Sequence, residues 1–123
     1  MTPGLHDTPP DLPVLDTDSA IRNVGGTELY AELAEEFLRD LPDLRTRLQA
    51  CASRPDAQAM IAEIHELANS FGVIGAMRGD AAVRRLELRL RRGVPTTPIE
   101  ALRIVAGALE PATRALGAWL ASR

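Results

Sequence analysis

From Asp16 to the C-terminus, apolar residues return every third or fourth position and nowhere alternate with period two over a useful length. This periodicity constrains the fold most. It places apolar side chains along one stripe of an α-helix and leaves no half-buried strand from which to build a sheet. Glycines and prolines cut the pattern into segments. Asp16 or Asp18 caps a short helix that ends at Gly25-Gly26. A second helix begins near Thr27, carries Leu29, Leu33, Phe37, Leu41, Leu44 and Leu48 in one arc, and stops before Arg54-Pro55; Pro42 inside it predicts a kink. A third starts at about Asp56 and puts Ala57, Met60, Ile61, Ile64, Leu67, Ala68 and Phe71 on one face; Gly72 and Gly75 loosen or end it. The fourth covers about Ala76 to Arg92, with Ala76, Gly79, Ala82, Val83, Leu86 and Leu90 inward, and is closed by Gly93 and Pro95. The last runs from about Pro98 to the end, with Leu102, Val105, Leu109, Leu116 and Leu120 on one broad face and Pro111 expected to kink or split it. The expected architecture is all-α: an antiparallel four-helix bundle over residues 16–123 with a short extra N-terminal helix. Residues 1–15, with Pro3, Gly4, Pro9, Pro10 and Pro13, cannot hold a helix and read as a flexible leader or linker.

Composition narrows the functional classes. The 123 residues suit one domain, and 46% hydrophobic against 25% charged suffices for a packed core. Aromatics are only Tyr30, Phe37, Phe71 and Trp119, so the core is aliphatic and no shelf of stacked rings awaits single-stranded nucleic acid. All the basic residues are arginine. Without lysine there is no Walker-type phosphate loop and no Schiff-base chemistry. A net charge of −3 argues against nucleic acid as a partner. The single cysteine, Cys51, forms no internal disulfide and reads as a small core residue. His6, His65 and Cys51 lack metal-ligand spacing. No apolar run approaches the ~20 residues needed to cross a bilayer, and no signal pattern opens the chain. The expectation is a soluble cytoplasmic domain.

His65 stands at the shoulder of the third helix's apolar face. Its neighbours three, four and seven residues away are Gln58, Ala62, Ala68, Asn69 and Gly72, which are small or neutral. Such a ring is propped by the core edge yet open to an approaching molecule. No partner base and no nucleophilic serine or cysteine is evident beside it, and Ser70 reads as a helix-packing hydroxyl. Two readings stay open on the residues alone. His65 is an ordinary surface histidine, or it accepts a phosphoryl group from a partner that brings the metal and the other catalytic groups.

The stretch from His65 to Glu87, HELANSFGVIGAMRGDAAVRRLE, resembles the signature of histidine-containing phosphotransfer (HPt) domains. His65, Leu67, Ser70, Gly72, Ile74, Gly75, Ala76, Leu86 and Glu87 fall in register. Upstream, VLD at 14–16, GGTELYAELAEEFLRDLP at 25–42, and Leu44 and Leu48 also look like the family, so the resemblance covers about residues 14–93. It implies a helical bundle with an exposed histidine, here His65, that exchanges a phosphoryl group reversibly with an aspartate of a response-regulator receiver domain. The implied partners are that receiver and a hybrid sensor histidine kinase. No cofactor is implied on this chain, since magnesium belongs to the receiver. The implied docking patch is Gln58, Ala62, Glu66, Ala68, Asn69 and Gly72. Ala68 stands where the family usually has a lysine, and Asn69 where it has a glycine. An HPt-like module that binds a receiver or kinase without being phosphorylated is the alternative.

Charge is segregated along the chain. Residues 1–66 carry net −8 and residues 67–123 net +5. Arg84, Arg85, Arg89, Arg91 and Arg92 crowd the fourth helix, either as a solvated face or as a surface attracting an acidic receiver. Leu88 is the apolar exception among them. Trp119 is expected to plug the end of the bundle.

Overall fold

The computed structural model describes residues 11–54 and 56–123. Five helices follow in order: α1 (Thr17–Val24), α2 (Thr27–Ser53), α3 (Ala57–Ile74), α4 (Met77–Arg91) and α5 (Pro98–Ala121). Helix α2 packs on α3, α3 on α4, α4 on α5, and α5 back on α2, so four helices close a ring around one core. Helix α1 lies across α2 and α3. The expected all-α bundle with a short N-terminal helix is what the chain forms.

Local chemistry explains the boundaries. Asp16 caps α1 by accepting from the Ser19 amide, Asp56 caps α3 through the Ala59 amide, and Thr97 caps α5 through the Glu100 amide. Pro98 at the first turn of α5 loses no hydrogen bond. Neither internal proline breaks its helix: α2 runs on through Pro42 and α5 through Pro111, which is not split. Both prolines are exposed, and each helix continues although the carbonyl four residues earlier loses its amide partner.

The core is one cluster of aliphatic side chains. Ile64, Ile74, Leu86, Leu116, Val83 and Val105 are among its fully buried members, each contributing about 1.5–3 kcal/mol by leaving water. Tyr30 lies at 0% exposure and donates its hydroxyl to the Ile74 carbonyl at 2.6 Å. This satisfies one of the carbonyls orphaned at the end of α3 and ties α2 to it. Burial pushes the Tyr30 phenol up to about 12. Trp119 meets Tyr30 edge-to-face at 4.9 Å and is half-buried against the core.

Four expectations about which residues face inward need correction, the first being Ala57, which is exposed at the start of α3. Leu29 is 45% exposed, because the core stripe at the start of α2 passes through Tyr30, Ala31 and Ala34 instead. Ser70 is exposed beside the groove between α2 and α3 and packs no helix. Cys51 is only half-buried at the margin of the core. Residues 1–10 of the expected leader lie outside the described residues. Residues 12–15 are tied down: Arg78 donates from Nε to the Leu12 carbonyl and from its amide to Pro13, and Leu15 packs on the core.

The α3–α4 turn holds the tightest constraint. Gly75 has φ +80°, a left-handed conformation, and its amide closes α3 onto the Phe71 carbonyl. A Cβ there would stand 2.5 Å from the Asp16 carbonyl oxygen and 2.9 Å from the Ala20 Cβ. The Gly75 carbonyl also accepts from the Asp16 amide at 2.8 Å. Conformation and space therefore both demand glycine. Gly75→Ala is expected to cost about 2–4 kcal/mol, and Tyr30→Phe about 1–3 kcal/mol for the unsatisfied Ile74 carbonyl. Urea denaturation of each variant beside the unaltered chain measures both.

Candidate functional site

Helix α3 carries a broad exposed arc on which Gln58, Ala62, Glu66, Asn69 and Gly72 all face solvent. Gln58, Ala62, His65, Asn69 and Gly72 recur at three- and four-residue steps and so form one stripe down the helix. Glu66 lies a third of a turn round, on the rim of the α2–α3 groove with Glu36, Asp40 and Glu63. Ala68 departs from the expected docking patch. It is fully buried, because three residues on from His65 the helix has turned that position into the core. No partner can touch it.

The His65 side chain is 46% exposed. Its Nδ1 lies 3.0 and 3.2 Å from the two carboxylate oxygens of Glu87 on α4. Glu87 is 8% exposed, the one charged residue that is buried among the described residues. Arg91, one turn on, donates from Nε to Glu87 Oε2 at 2.7 Å. Burial pushes the Glu87 carboxyl up, but hydrogen bonds from Arg91 and His65 and their charges outweigh it and hold Glu87 below the usual glutamate range. The carboxylate is therefore ionised at neutral pH and can only accept. His65 Nδ1 must carry a hydrogen and donate it. In the neutral ring this leaves the Nε2 lone pair, and no hydrogen bond holds Nε2 among the described residues. The geometry thus presents an oriented imidazole nucleophile, its tautomer set by a second helix.

Glu87 is the residue that reading the helices singly missed as a partner for His65. Helical periodicity gives the angle of a residue on its own helix, but not which residue of the next helix stands opposite. A signal existed nonetheless: Glu87 follows Val83 by one turn at the edge of the inward side of α4, where an unpartnered carboxylate would be costly. Further along the same α4 face, Arg84 Nε pairs with Asp80 at 2.6 Å. The Arg84 guanidinium reaches within 4.0 Å of where a Gly72 Cβ would stand. Leu88 is 46% exposed beside these arginines. Among the described residues no group of three or more His, Cys, Asp or Glu is arranged to hold a metal ion, and no helix is long and apolar enough to cross a membrane.

Nitrogen NMR of His65 in the neutral ring should show hydrogen on Nδ1, and Glu87→Gln should shift that tautomer balance. Because Glu87 titrates lower in the folded chain than unfolded, its contribution to stability is complete above the ordinary glutamate range and is lost as pH falls through its folded value. Acid denaturation of Glu87→Gln should accordingly lose that part of the pH dependence; an acid limb identical to that of the unaltered chain contradicts the assignment.

Compared with known proteins, the chain matches a family model described as "Hpt domain" over residues 32–118. No curated protein and no solved structure matches it.

Proposed function

The chain belongs to the HPt domain family, whose members take part in histidine phosphotransfer within phosphorelays, and on that premise we propose that His65 is its phosphoacceptor. The half-exposed ring, with Nδ1 held by Glu87 and Nε2 left open, carries the reading. The Nε2 lone pair attacks the phosphorus of a receiver's aspartyl phosphate. The N–P bond forms as the bond from phosphorus to the aspartyl oxygen breaks, and the aspartate leaves as carboxylate. The ring keeps its Nδ1 hydrogen and gains positive charge, which faces the ionised Glu87. An oriented carboxylate is placed to stabilise charge where it develops. The reverse transfer retraces these steps.

The partner is a response-regulator receiver domain, fed by a hybrid sensor histidine kinase in the cytoplasm. The receiver contributes the acidic pocket and the magnesium ion; this chain contributes the nucleophile and a place to dock. Gln58, Ala62, Asn69 and Gly72 lie along the stripe through His65, with Glu66 at its edge, and their mostly small side chains let a second protein approach the ring. Asn69, one turn from His65, occupies the position where the family's glycine ordinarily allows that approach, which favours a restricted choice of receiver. Arg84 and Arg91 border the stripe from α4, and with Arg85 and Arg92 elsewhere on that helix they attract an acidic surface.

Incubation with a phosphorylated cognate receiver tests this directly. Acid-labile, base-stable label is expected on the wild type and absent from His65→Gln. Absence of label from both, with receiver binding intact, would replace the carrier by a module that regulates through occupancy alone.

A further inference from the structure

We propose that Arg91 neutralises the phosphoryl group on His65, so that α4 supplies the cation which this lysine-free chain cannot supply from α3. The inference rests on the phosphocarrier reading above. A phosphoryl group brings close to two negative charges at neutral pH. The position three residues after His65 is the buried Ala68, so α3 offers no cation there. Arg91 Nε and His65 Nδ1 converge on the same atom, Glu87 Oε2, at 2.7 and 3.0 Å. Sharing that oxygen keeps Arg91 Nε within about 6 Å of Nδ1, with the phosphoryl-bearing Nε2 about 2 Å farther across the ring, so the open fork rather than Nε is what turns toward the phosphoryl oxygens.

Only Nε of Arg91 is used in that contact. Its two terminal amino groups make no hydrogen bond among the described residues, and the side chain is 52% exposed. A guanidinium presents its donors in a planar fork that suits phosphate oxygens. Glu87 therefore acts in two directions: it orients the imidazole, and it anchors the guanidinium beside the ring with the fork open. Arg84 is less well placed. Asp80 holds its Nε, and its guanidinium lies against Gly72, two helical turns or about 10 Å along α3 from His65.

Phosphoramidate tests this without any partner protein. His65 Nε2 forms the N–P bond as the P–N bond of the reagent breaks, ammonia leaves, and the ring retains its Nδ1 hydrogen. The labelling rate of Arg91→Gln is expected to fall about five- to tenfold, with substantial recovery in Arg91→Lys and little change in Arg114→Gln, whose guanidinium pairs with Glu110 on the exposed side of α5. Phosphorus NMR should show the phosphoryl group of Arg91→Gln titrating at higher pH than in the wild type, a readout that a purely structural role would not move. Should Arg91→Gln not fold, the wild type carries a second test: its phosphoryl titration midpoint should rise as salt screens the guanidinium. Normal labelling with an unmoved midpoint in Arg91→Gln, or a salt-independent midpoint in the wild type, overturns the role of Arg91 and leaves the carrier standing. A folded wild type that takes no label on His65, as judged against His65→Gln, overturns both.

Discussion

The antiparallel pairing of α3 with α4 decides everything that the site can do, and it is set at Gly75. That residue turns the chain through a left-handed conformation while lying against the Asp16 carbonyl and Ala20. Its position determines which residues of the two helices stand opposite one another. One residue more or fewer in the turn would rotate α4 by about 100° relative to its present facing, and Glu87 would no longer look across at His65. The Tyr30 hydroxyl on Ile74 and the Asp16 amide on Gly75 brace the same corner from α2 and from the start of α1. Three elements therefore hold the geometry of one imidazole that belongs to a fourth position on the surface.

Glu87 illustrates how such a site is tuned. Removing a carboxylate from water is unfavourable, and a neighbouring aliphatic residue would pack more comfortably. The charge survives because Arg91 and His65 both donate to it, and those bonds outweigh the desolvation. The arrangement orients the ring before any partner arrives, which removes a conformational choice from the encounter. A histidine on a plain solvent-facing helix would sample several rotamers and both tautomers.

Much of this was legible in the sequence, and the failures share a cause. The helices, their caps and their order follow from local signals: periodicity, Asp16 and Asp56 ahead of apolar runs, and Gly75 and Gly93 behind them. The shoulder position of His65 followed from one helix's geometry alone. Errors arose where the answer depended on neighbouring helices. Leu29 yielded the core to Tyr30 because the tyrosine hydroxyl finds a carbonyl at the far end of α3. Ser70 faces a groove because α2 does not close over it. Ala68 lies on the inward side of the arc, so its place in the docking patch could not stand. The expected split at Pro111 failed differently: one lost hydrogen bond does not end a helix whose other bonds and packing continue on both sides.

Tyr30 and Trp119 are the sole tyrosine and the sole tryptophan, and they touch edge-to-face where α2 meets the end of α5. Light absorbed by the phenol thus passes efficiently to the indole while the two helices remain docked. Intrinsic emission from this chain reports on a single place in the bundle, the far seam between its first long helix and its last, without any added dye.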